Sequence, residues 1–507
     1  MNQNNISAAE LFLRVRELLI LPELEPKTRN KMMHDTLILC CHEGVKETKQ
    51  AFGNLFSQVD YLCKAHGIKV ADKIAIQTMR RHSNSQEPLS SEDLKYDARA
   101  LAIFISAVFG VDVPHELNVL IPHTNRPYQK GLEINNRRIR CIVKNWDNDF
   151  IRVDIDQDAD EEEYLVQLKD EENHIDHTYL WDILKEGMQL NLLDCQVKQP
   201  IITPRLIVVE PDYLVDISSI ATCFTAFGHH PLLYLLNQMK PRANTQATLL
   251  GNFAGAALDD IINTNGKYQM IETIKTNFRE KALEFCTCPW FDAKKFYTDA
   301  NQQAFNLQQV VDILFPRTAS QAQMSAFRGE SLYDRKKAIL EPSFVCEALG
   351  IQGRVDLMTT DCKLLVEQKS GRNMNIETHQ VDPGYHSYQL EPHYVQLLLY
   401  YGVLQHNFKL SNDRVNIRLL YSKYQPQDGL MVVAYYQKLF KEAIEYRNQL
   451  VAASFEIAKE GFEHALNEFT PEVLNVAGTQ DFFYNKYLKP QIEAITSPLH
   501  NLTPLEE

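Results

Sequence analysis

The chain has 507 residues, enough for about two to four domains and a sizeable core. Apolar residues make up 45% and charged residues 23%, which is typical of a globular protein. The net charge of −14 argues against a surface coated in basic groups for bulk nucleic-acid binding, but it allows a narrow basic channel. No apolar run is long enough to span a membrane, and the first residues lack a basic signal segment. We therefore expect a cytoplasmic protein without a membrane partner.

The ten cysteines are scattered along the chain, and none forms a C-x-x-C pair. Their spacing fits neither a disulfide framework nor a zinc site, so we interpret them as reduced thiols. Cys286 and Cys288 are too close in sequence for a normal tetrahedral pair on one element, and we interpret them as structural.

Residues 1 to about 125 carry apolar side chains at three- and four-residue spacing, which predicts helices. The sequence SSED before DARALAIFISAVFG is a capping signal for one of them. No catalytic constellation occurs in this part of the chain. We predict a helical domain over residues 1–128, of unknown role, for which an interaction or bridging module is the simplest interpretation.

Short β-rich runs separated by polar turns follow, and they predict a small barrel over residues 129–211, with the OB-fold as the leading candidate. Such barrels bind single-stranded nucleic acid by stacking bases on aromatic side chains in a basic groove. Arg137, Arg138 and Trp146 supply groups for DNA binding of this kind. The acidic run at 154–163 would repel phosphate, so a structural barrel that docks onto its neighbour stays open as the alternative.

Residues 212–480 carry, in order, helices, a β-hairpin, a helix, two strands and a long amphipathic helix. This order predicts an α/β domain with a central mixed sheet. Residues 481–507 are interpreted as a C-terminal tail or linker. The fold class expected for the whole chain is α/β multidomain.

The hairpin within residues 347–371 holds a possible metal site. Its first run, 353–358, contains Asp356, and its second delivers Glu367 and Lys369. Side chains alternate along a strand, so Glu367 and Lys369 share one face while Gln368 turns away. If the runs pair, Asp356 faces the same place. Two carboxylates and an ammonium group suit a hard cation such as Mg²⁺ or Mn²⁺, with the lysine near the attacking water.

The order of motifs resembles the PD-(D/E)XK nuclease superfamily, specifically its RecB-like branch. The matching pieces are G-R-V-D ending at Asp356, V-E-Q-K-S-G holding Glu367 and Lys369, and Q-L-L-L-Y from Gln396 to Tyr400. That branch characteristically has a G-x-(I/V)-D strand, a (D/E)-x-K strand and a Q-x-x-x-Y helix in this order. The resemblance implies a restriction-endonuclease-like core and metal-dependent hydrolysis of DNA.

The same resemblance implies roles for single residues. Asp356 and Glu367, joined by the backbone carbonyl of Gln368, would bind Mg²⁺ or Mn²⁺. Lys369 would orient or help to deprotonate the attacking water.

Further roles are implied outside this metal site. Gln396 and Tyr400, on one helical face, would steady the lysine and the DNA backbone. Glu341 or Glu347 would add an outer carboxylate, and Arg372 would contact DNA.

Two departures from the family pattern stand out. RecB-like nucleases usually have G-x-x-x-H on the preceding helix, but the best register here runs from Gly251 to Gly255, which puts glycine where the histidine ligand is expected. Asp259 on the same helical face is a candidate substitute ligand, and a purely structural helix is the alternative. Relatives often carry four cysteines for an iron–sulfur cluster. Cys223 could stand for the first, but no cysteine follows Cys362, so we expect no cluster.

The region from about 130 to 500 also resembles the barrel-plus-nuclease portion of the eukaryotic-type replication and repair helicase-nuclease. No Walker A motif occurs, so these residues encode no ATP-driven motor. A helicase on the same longer chain or on a separate subunit is therefore an expected partner. The predicted function is a DNA nuclease acting on single-stranded or end-containing DNA in repair, replication or defence. Alternatives are a non-catalytic subunit for DNA binding or complex assembly, and a hydrolase of RNA or another phosphodiester.

Overall fold

The structure is a computed structural model that describes residues 6–461 apart from internal gaps at 22, 86, 127–131, 156–162, 226–227, most of 232–243, 265–266, 380–387 and 411–413. Beyond 461 it describes only a few isolated residues. The predicted boundary at 128, most of the acidic run at 154–163 and nearly all of the predicted tail lie outside the described residues.

The first part of the chain is helical, as predicted, and its helices enclose a core of their own. The cap predicted at SSED is present, because Ser90 and Asp93 form a capping box. The helices are α1 (Ala8–Ile20), α2 (Pro26–Gly44), α3 (Leu55–Ala65), α4 (Val70–Asn84), α5 (Ser91–Phe109) and α6 (His115–Asn118).

One short strand in this helical part joins the central sheet further along the chain. Strand β1 (Ala51–Phe52) pairs in parallel with Met431 and Val432. The adjacent Gly53 donates its N–H to Val432 O at 3.0 Å. The prediction of a helical domain over residues 1–128 did not include this strand. Two residues carry too little periodicity to be recognised, and the pairing depends on a distant sheet edge.

The predicted barrel is confirmed as five strands that close on themselves in the order β2–β3–β4–β8–β7. Strands β4 and β8 pair in parallel, and the other pairs are antiparallel. Alternate side chains of each strand fill the interior. The strands are β2 (Asn136–Trp146), β3 (Phe150–Ile155), β4 (Tyr164–Gln167), β7 (Gln189–Lys198) and β8 (Ile201–Val209); between β4 and β7 lie the small pair β5 (Lys169–Asp170) and β6 (Ile175–Asp176) and a 3₁₀ turn at Thr178–Asp182.

The central sheet is mixed, as predicted, and has six strands in the order β1–β18–β17–β16–β15–β12. Strand β16 is antiparallel to β15 and parallel to β17, and β18 returns antiparallel to β17. The strands that complete it are β12 (Ala338–Leu340), β15 (Leu357–Thr359), β16 (Leu364–Lys369), β17 (Asn416–Tyr421) and β18 (Leu430–Val433).

Helices cover both faces of this sheet, so its central strands are apolar on both sides. The helices of this region are α7 (Ile217–Ala221), α8 (Gln246–Asn263), α9 (Met270–Glu280), α10 (Ala282–Cys286), α11 (Ala293–Leu314), α12 (Ala319–Phe327), α13 (Met374–Thr378), α14 (Glu391–Phe408), α15 (Pro426–Gly429) and α16 (Gln437–Glu460). Leu364 and Val366 pack with α8 and α11, whereas Leu365 packs with α14 and α16.

A smaller sheet in the order β13–β14–β9 lies beside the central one. Its strands are β9 (Val215–Asp216), β13 (Ser343–Cys346) and β14 (Ile351–Arg354), and a separate pair is formed by β10 (Phe224–Thr225) and β11 (Gly228–His229). Arg335–Lys337 forms a second 3₁₀ turn.

A buried arginine fastens the barrel to the α/β region. Arg447, on α16, is fully buried and donates to the carbonyl oxygens of Val209 and Glu210 at the end of the barrel. It also donates to Tyr213 O at 2.5 Å and to Gly350 O at 3.1 Å. Gly350 has a φ of 61°, and a Cβ there would collide with the guanidinium group. The two regions therefore share one buried hydrogen-bonding centre.

We expect the Arg447→Ala variant to lose about 3 kcal/mol or more of unfolding free energy, because several buried carbonyl groups would lose their donor. Denaturant unfolding measures this. The exposed Lys438 on the same helix provides the matched control, and Lys438→Ala should change stability by less than about 0.5 kcal/mol. Equal stability of the two variants would contradict this account.

Candidate active site

Asp356 lies where the chain passes from one sheet to another. Strand β14 ends at Arg354 in the smaller sheet, and β15 begins at Leu357 in the central sheet. The Asp356 carboxylate accepts the backbone N–H of Gln368 at 2.6 Å. This bond places Asp356 beside β16, although Asp356 itself belongs to neither β14 nor β15.

The predicted hairpin is confirmed from Leu357 onwards, but the prediction is wrong for the residues before it. Leu357 and Met358 pair with Val366 and Leu365, as a hairpin requires. The run 353–358, however, is not one strand, because Gly353 and its neighbours pair with β13 instead. Sequence periodicity does not show such a change of partner, because both halves are short and apolar.

The predicted alternation along β16 is confirmed. Lys369 Nζ contacts Glu367 Oε1 at 2.7 Å and donates to Gln396 Oε1 at 2.8 Å, so these side chains share a face. Gln368 turns to the opposite face, where its amide donates to Ser422 Oγ at 2.7 Å. The strand and α14 thus hold the lysine between a carboxylate and an amide.

The backbone carbonyl of Gln368 points towards Asp356. Its N–H reaches Asp356, and the N–H and C=O of one strand residue point to the same edge. The pairing of β15 with β16 ends at Val366, so no strand partner lies opposite Gln368 on that edge among the described residues. This orientation agrees with the predicted role of the carbonyl as a ligand.

Tyr400 acts on the neighbouring backbone rather than directly on the lysine. Its hydroxyl donates to Arg354 O at 2.6 Å, two residues before Asp356. A Cβ on Gly353 would lie 3.0 Å from the Tyr400 ring, so glycine permits this close approach. Tyr400 therefore fixes the main chain that presents Asp356.

A cleft of about 500 Å³ opens beside these residues. Its carboxylates are Asp259, Glu280, Glu341 and Asp356, and its cationic groups are Lys281, Arg354 and Lys369. Glu341 forms an ion pair with Arg354 at 3.0 Å. Of the two outer carboxylates predicted, Glu341 lies in the cleft, whereas Glu347 is exposed in the turn at the far end of β14 and does not line it.

Burial makes these carboxylates reluctant to ionise. Glu367 is 2% exposed, and burial, reinforced by the charge of Asp356, raises its pKa to about 8. Burial also raises the pKa of Asp259 to about 7, with further contributions from Glu341 and Asp356. The pKa of Asp356 is raised for the same main reason. Negative charge here needs a proton or a cation to offset it.

The residues fit a hard divalent cation. Glu367 Oε2 is buried and has no hydrogen-bond partner within the part of the chain that is described, which suits an oxygen reserved for a ligand. No three His, Cys, Asp or Glu side chains among the described residues form a ready-made ligand cluster. Mg²⁺ is commonly held by one or two carboxylates and completes its shell with water, so Asp356, Glu367 and the Gln368 carbonyl are sufficient protein ligands.

The position of the missing histidine faces open space. Gly255 lines the cleft, and a Cβ built there meets no atom within 4 Å. Asp259, one turn further along α8, lines the same cleft. The helix therefore has room for a ligand side chain at Gly255 and offers a carboxylate nearby.

The predicted DNA contacts lie outside the cleft. Arg372 forms an ion pair with Glu377, and the exposed Arg137 forms one with Asp194 at 2.7 Å. Arg138 and Trp146 occupy opposite ends of β2, roughly 25 Å apart along the strand. These residues do not converge on one site.

Sequence reasoning missed several residues that line the cleft. Asn277 and Lys281 come from α9 and its C-terminal end, and Arg354 and Ser370 lie within the recognised motifs G-R-V-D and V-E-Q-K-S-G but were given no role. The last two could have been found from their proximity to Asp356 and Lys369. Nothing in the sequence marks Asn277 or Lys281, because only the packing of α9 against α8 brings them there.

No protein-family model matches the chain, and no curated protein matches it significantly. None of the described helices combines the length and apolar character needed to cross a membrane. The ten cysteines, all within the described residues, form no disulfide.

The raised pKa of Glu367 predicts how stability depends on pH. The unfolded-state pKa of glutamate is about 4.3, so between this value and about 8 the folded state keeps a proton that the unfolded chain has released. Stability should therefore fall as pH rises through this window in the absence of divalent cations. At pH 9 we expect Glu367→Gln to be more stable than the wild type by about 1 kcal/mol or more, and near pH 4.5 to be equal to it.

Denaturant titrations across pH, in the presence of a chelator, measure this difference. Asp361→Asn, which alters a carboxylate in the exposed turn of the same hairpin, is the control and should follow the wild type. If the unfolding free energy of the wild type stayed constant from pH 5 to 9, this would contradict the raised pKa of Glu367.

Proposed function

We propose that the protein is a Mg²⁺- or Mn²⁺-dependent nuclease that hydrolyses phosphodiester bonds in DNA. The observation that carries the proposal is the convergence of Asp356, Glu367, Lys369 and Gln396 at one end of the central sheet, beside a cleft. Residues 40 positions apart meet there through specific contacts of 2.6 to 2.8 Å, from Asp356 to Gln396.

The residues divide the work as follows. Asp356, Glu367 and the Gln368 carbonyl would hold the cation, which when bound lowers the pKa of water and offsets charge on the phosphate. Lys369 orients the attacking water and contacts the scissile phosphate. Gln396 holds Lys369 in place, and Tyr400 fixes the backbone before Asp356.

The architecture supports the same proposal. The mixed sheet carries its motifs in the order expected for a RecB-like nuclease. In the preceding barrel the first strand pairs with the fourth, and the third runs parallel to the fifth, which is the pattern of an OB-fold. By the same resemblance, we propose single-stranded or end-containing DNA as substrate and a helicase as partner.

A non-catalytic subunit for DNA binding or assembly is the second candidate. The open position at Gly255 favours it, because one expected ligand is absent. The buried Glu367 opposes it, because an apolar residue of similar size would stabilise a pure scaffold more than a carboxylate with an unpartnered oxygen.

Cation binding can be tested without activity. We expect Mg²⁺ or Mn²⁺ to raise the melting temperature of the wild type at pH 8, because a cation bound only to the folded state stabilises it. The shift should disappear in Asp356→Asn and persist in Asp361→Asn. Thermal melts against cation concentration measure it, and identical shifts in both variants would place the cation elsewhere.

Cleavage is tested with two variants and their matched controls. Lys369→Ala and Asp356→Asn should each lower the rate of DNA cleavage by about 100-fold or more, because they remove a water-orienting or cation-binding group. Lys363→Ala and Asp361→Asn, both in the exposed turn between β15 and β16, should cleave like the wild type.

The substrates should include single- and double-stranded DNA, with and without ends, and RNA. Undiminished cleavage by both site variants would overturn the assignment of the site. A wild type that binds DNA but cuts none of these substrates in either cation would favour the scaffold. Preferential cutting of RNA would redirect the substrate class.

A further inference from the structure

The most exposed large apolar side chain among those described is Trp290, at 98%. It lies in the loop between α10 and α11, next to Phe291. Phe291 packs inward against Phe285 and Phe296, with ring centroids 5.4 and 5.5 Å away. The indole of Trp290 is thereby directed away from the core and contributes almost nothing to packing.

The backbone of Trp290 is also strained. Its φ of 58° lies in the left-handed region, which bulky side chains rarely adopt and which glycine adopts freely. Such a conformation costs roughly 1–3 kcal/mol and persists only where the surrounding structure imposes it, and strain of this kind is concentrated at functional sites. A tryptophan that is both exposed and strained does not stabilise the fold.

The loop is held firmly beside the helix that forms the cleft wall. The N–H of Asp292 donates to Gln246 Oε1 at 2.8 Å, and Asn244 donates to Thr287 Oγ1 at 2.8 Å. Gln246 is the first residue of α8 and lies about 7 Å along the helix axis from the cleft residue Gly251. Trp290 is therefore displayed on a fixed support near the cleft.

Polar groups connect Trp290 with the cleft. Asn277 is 5% exposed, lines the cleft, and its Oδ1 has no hydrogen-bond partner among the described residues. Lys281, one turn further on, adds a cation to the same wall and also forms an ion pair with Glu284 at 3.6 Å. Only the short helix α10 separates Lys281 from the loop that carries Trp290. An amide oxygen without a partner among the described residues and a cation thus line this wall, and the exposed aromatic ring follows them in the chain.

We propose that Trp290 stacks on a base of single-stranded DNA and guides the strand along Lys281 into the cleft. The proposal rests on the nuclease function proposed above and specifies its substrate as a strand with unpaired bases. Stacking requires an open base face, which the bases inside a duplex do not offer, and the ammonium group of Lys281 suits the phosphate that follows.

The first test measures stacking directly. The chain has three tryptophans, so the Trp146→Phe/Trp181→Phe double variant keeps Trp290 as the sole indole. Oligo-dT in a chelator should quench its fluorescence, while an equal concentration of duplex DNA should not. Binding of oligo-dT, seen by anisotropy, without any change in the fluorescence of Trp290 would overturn the proposal.

The second test measures affinity. Trp290→Ala should weaken the binding of oligo-dT by about 5- to 150-fold, the range for losing one base–aromatic stack, and Trp290→Phe should restore most of it. The control is Phe327→Ala, which removes a ring that is 70% exposed from α12, where no residue lines the cleft. It should bind like the wild type.

A stability measurement separates a binding role from a structural one. Trp290→Gly should raise the melting temperature by about 1–2 °C, because glycine adopts the left-handed conformation without strain. The same variant should bind oligo-dT as weakly as Trp290→Ala. A drop in melting temperature with unchanged binding would show a structural residue and overturn the proposal.

The two proposals fail separately, since binding is measured without divalent cations. Stacking on Trp290 without cleavage in Mg²⁺ or Mn²⁺ would overturn the nuclease function alone. Cleavage of single-stranded DNA with an unchanged KM in Trp290→Ala would overturn the guiding role alone.

Discussion

The burial of negative charge beside Asp356 is the constraint on which the site depends. Burial raises the pKa values of both Glu367 and Asp356, and the charge of Asp356 raises that of Glu367 further. One oxygen of Glu367 has no hydrogen-bond partner within the described residues. A fold tolerates such a group when a proton or a bound cation offsets it. The neighbouring Lys369 offsets part of this negative charge, and the Gln368 carbonyl adds an oxygen suited to a cation.

The surrounding architecture explains how this charge comes to be placed there. The strand β16 is covered on both faces by helices, with Leu364 and Val366 on one side and Leu365 on the other. These apolar residues fix the register of β16 in the sheet. Glu367 and Lys369, which follow them, are therefore placed at the end of the sheet. Asp356, which lies where the chain passes between two sheets, supplies the second carboxylate. Gly353 lets Tyr400 approach closely enough to hold that passage.

The same wall of the cleft contains both the recognised and the unrecognised features. Helix α8 carries glycine where a ligand was expected, with Asp259 one turn further on, while α9 contributes Asn277 and Lys281. Trp290 lies beyond them, exposed and strained. Together these groups define a route from an aromatic platform to the acidic centre. We prefer this route to the barrel as the path of a single strand, because Arg138 and Trp146 lie far apart along β2.

The sequence alone determined those features that depend on residues close together in the chain. Period-2 alternation assigned Glu367 and Lys369 to one face, helical spacing placed Gln396 and Tyr400 together, and short β-rich runs indicated the barrel. These patterns depend on a few neighbouring residues, so they can be read without the fold. Tertiary structure decided what depends on distant partners. It moved Gly353 and Arg354 into a second sheet, added Ala51 and Phe52 to the central one, chose Glu341 over Glu347 and brought Lys281 into the cleft. In each case the contact joins segments far apart in sequence, and packing rather than local preference selects it.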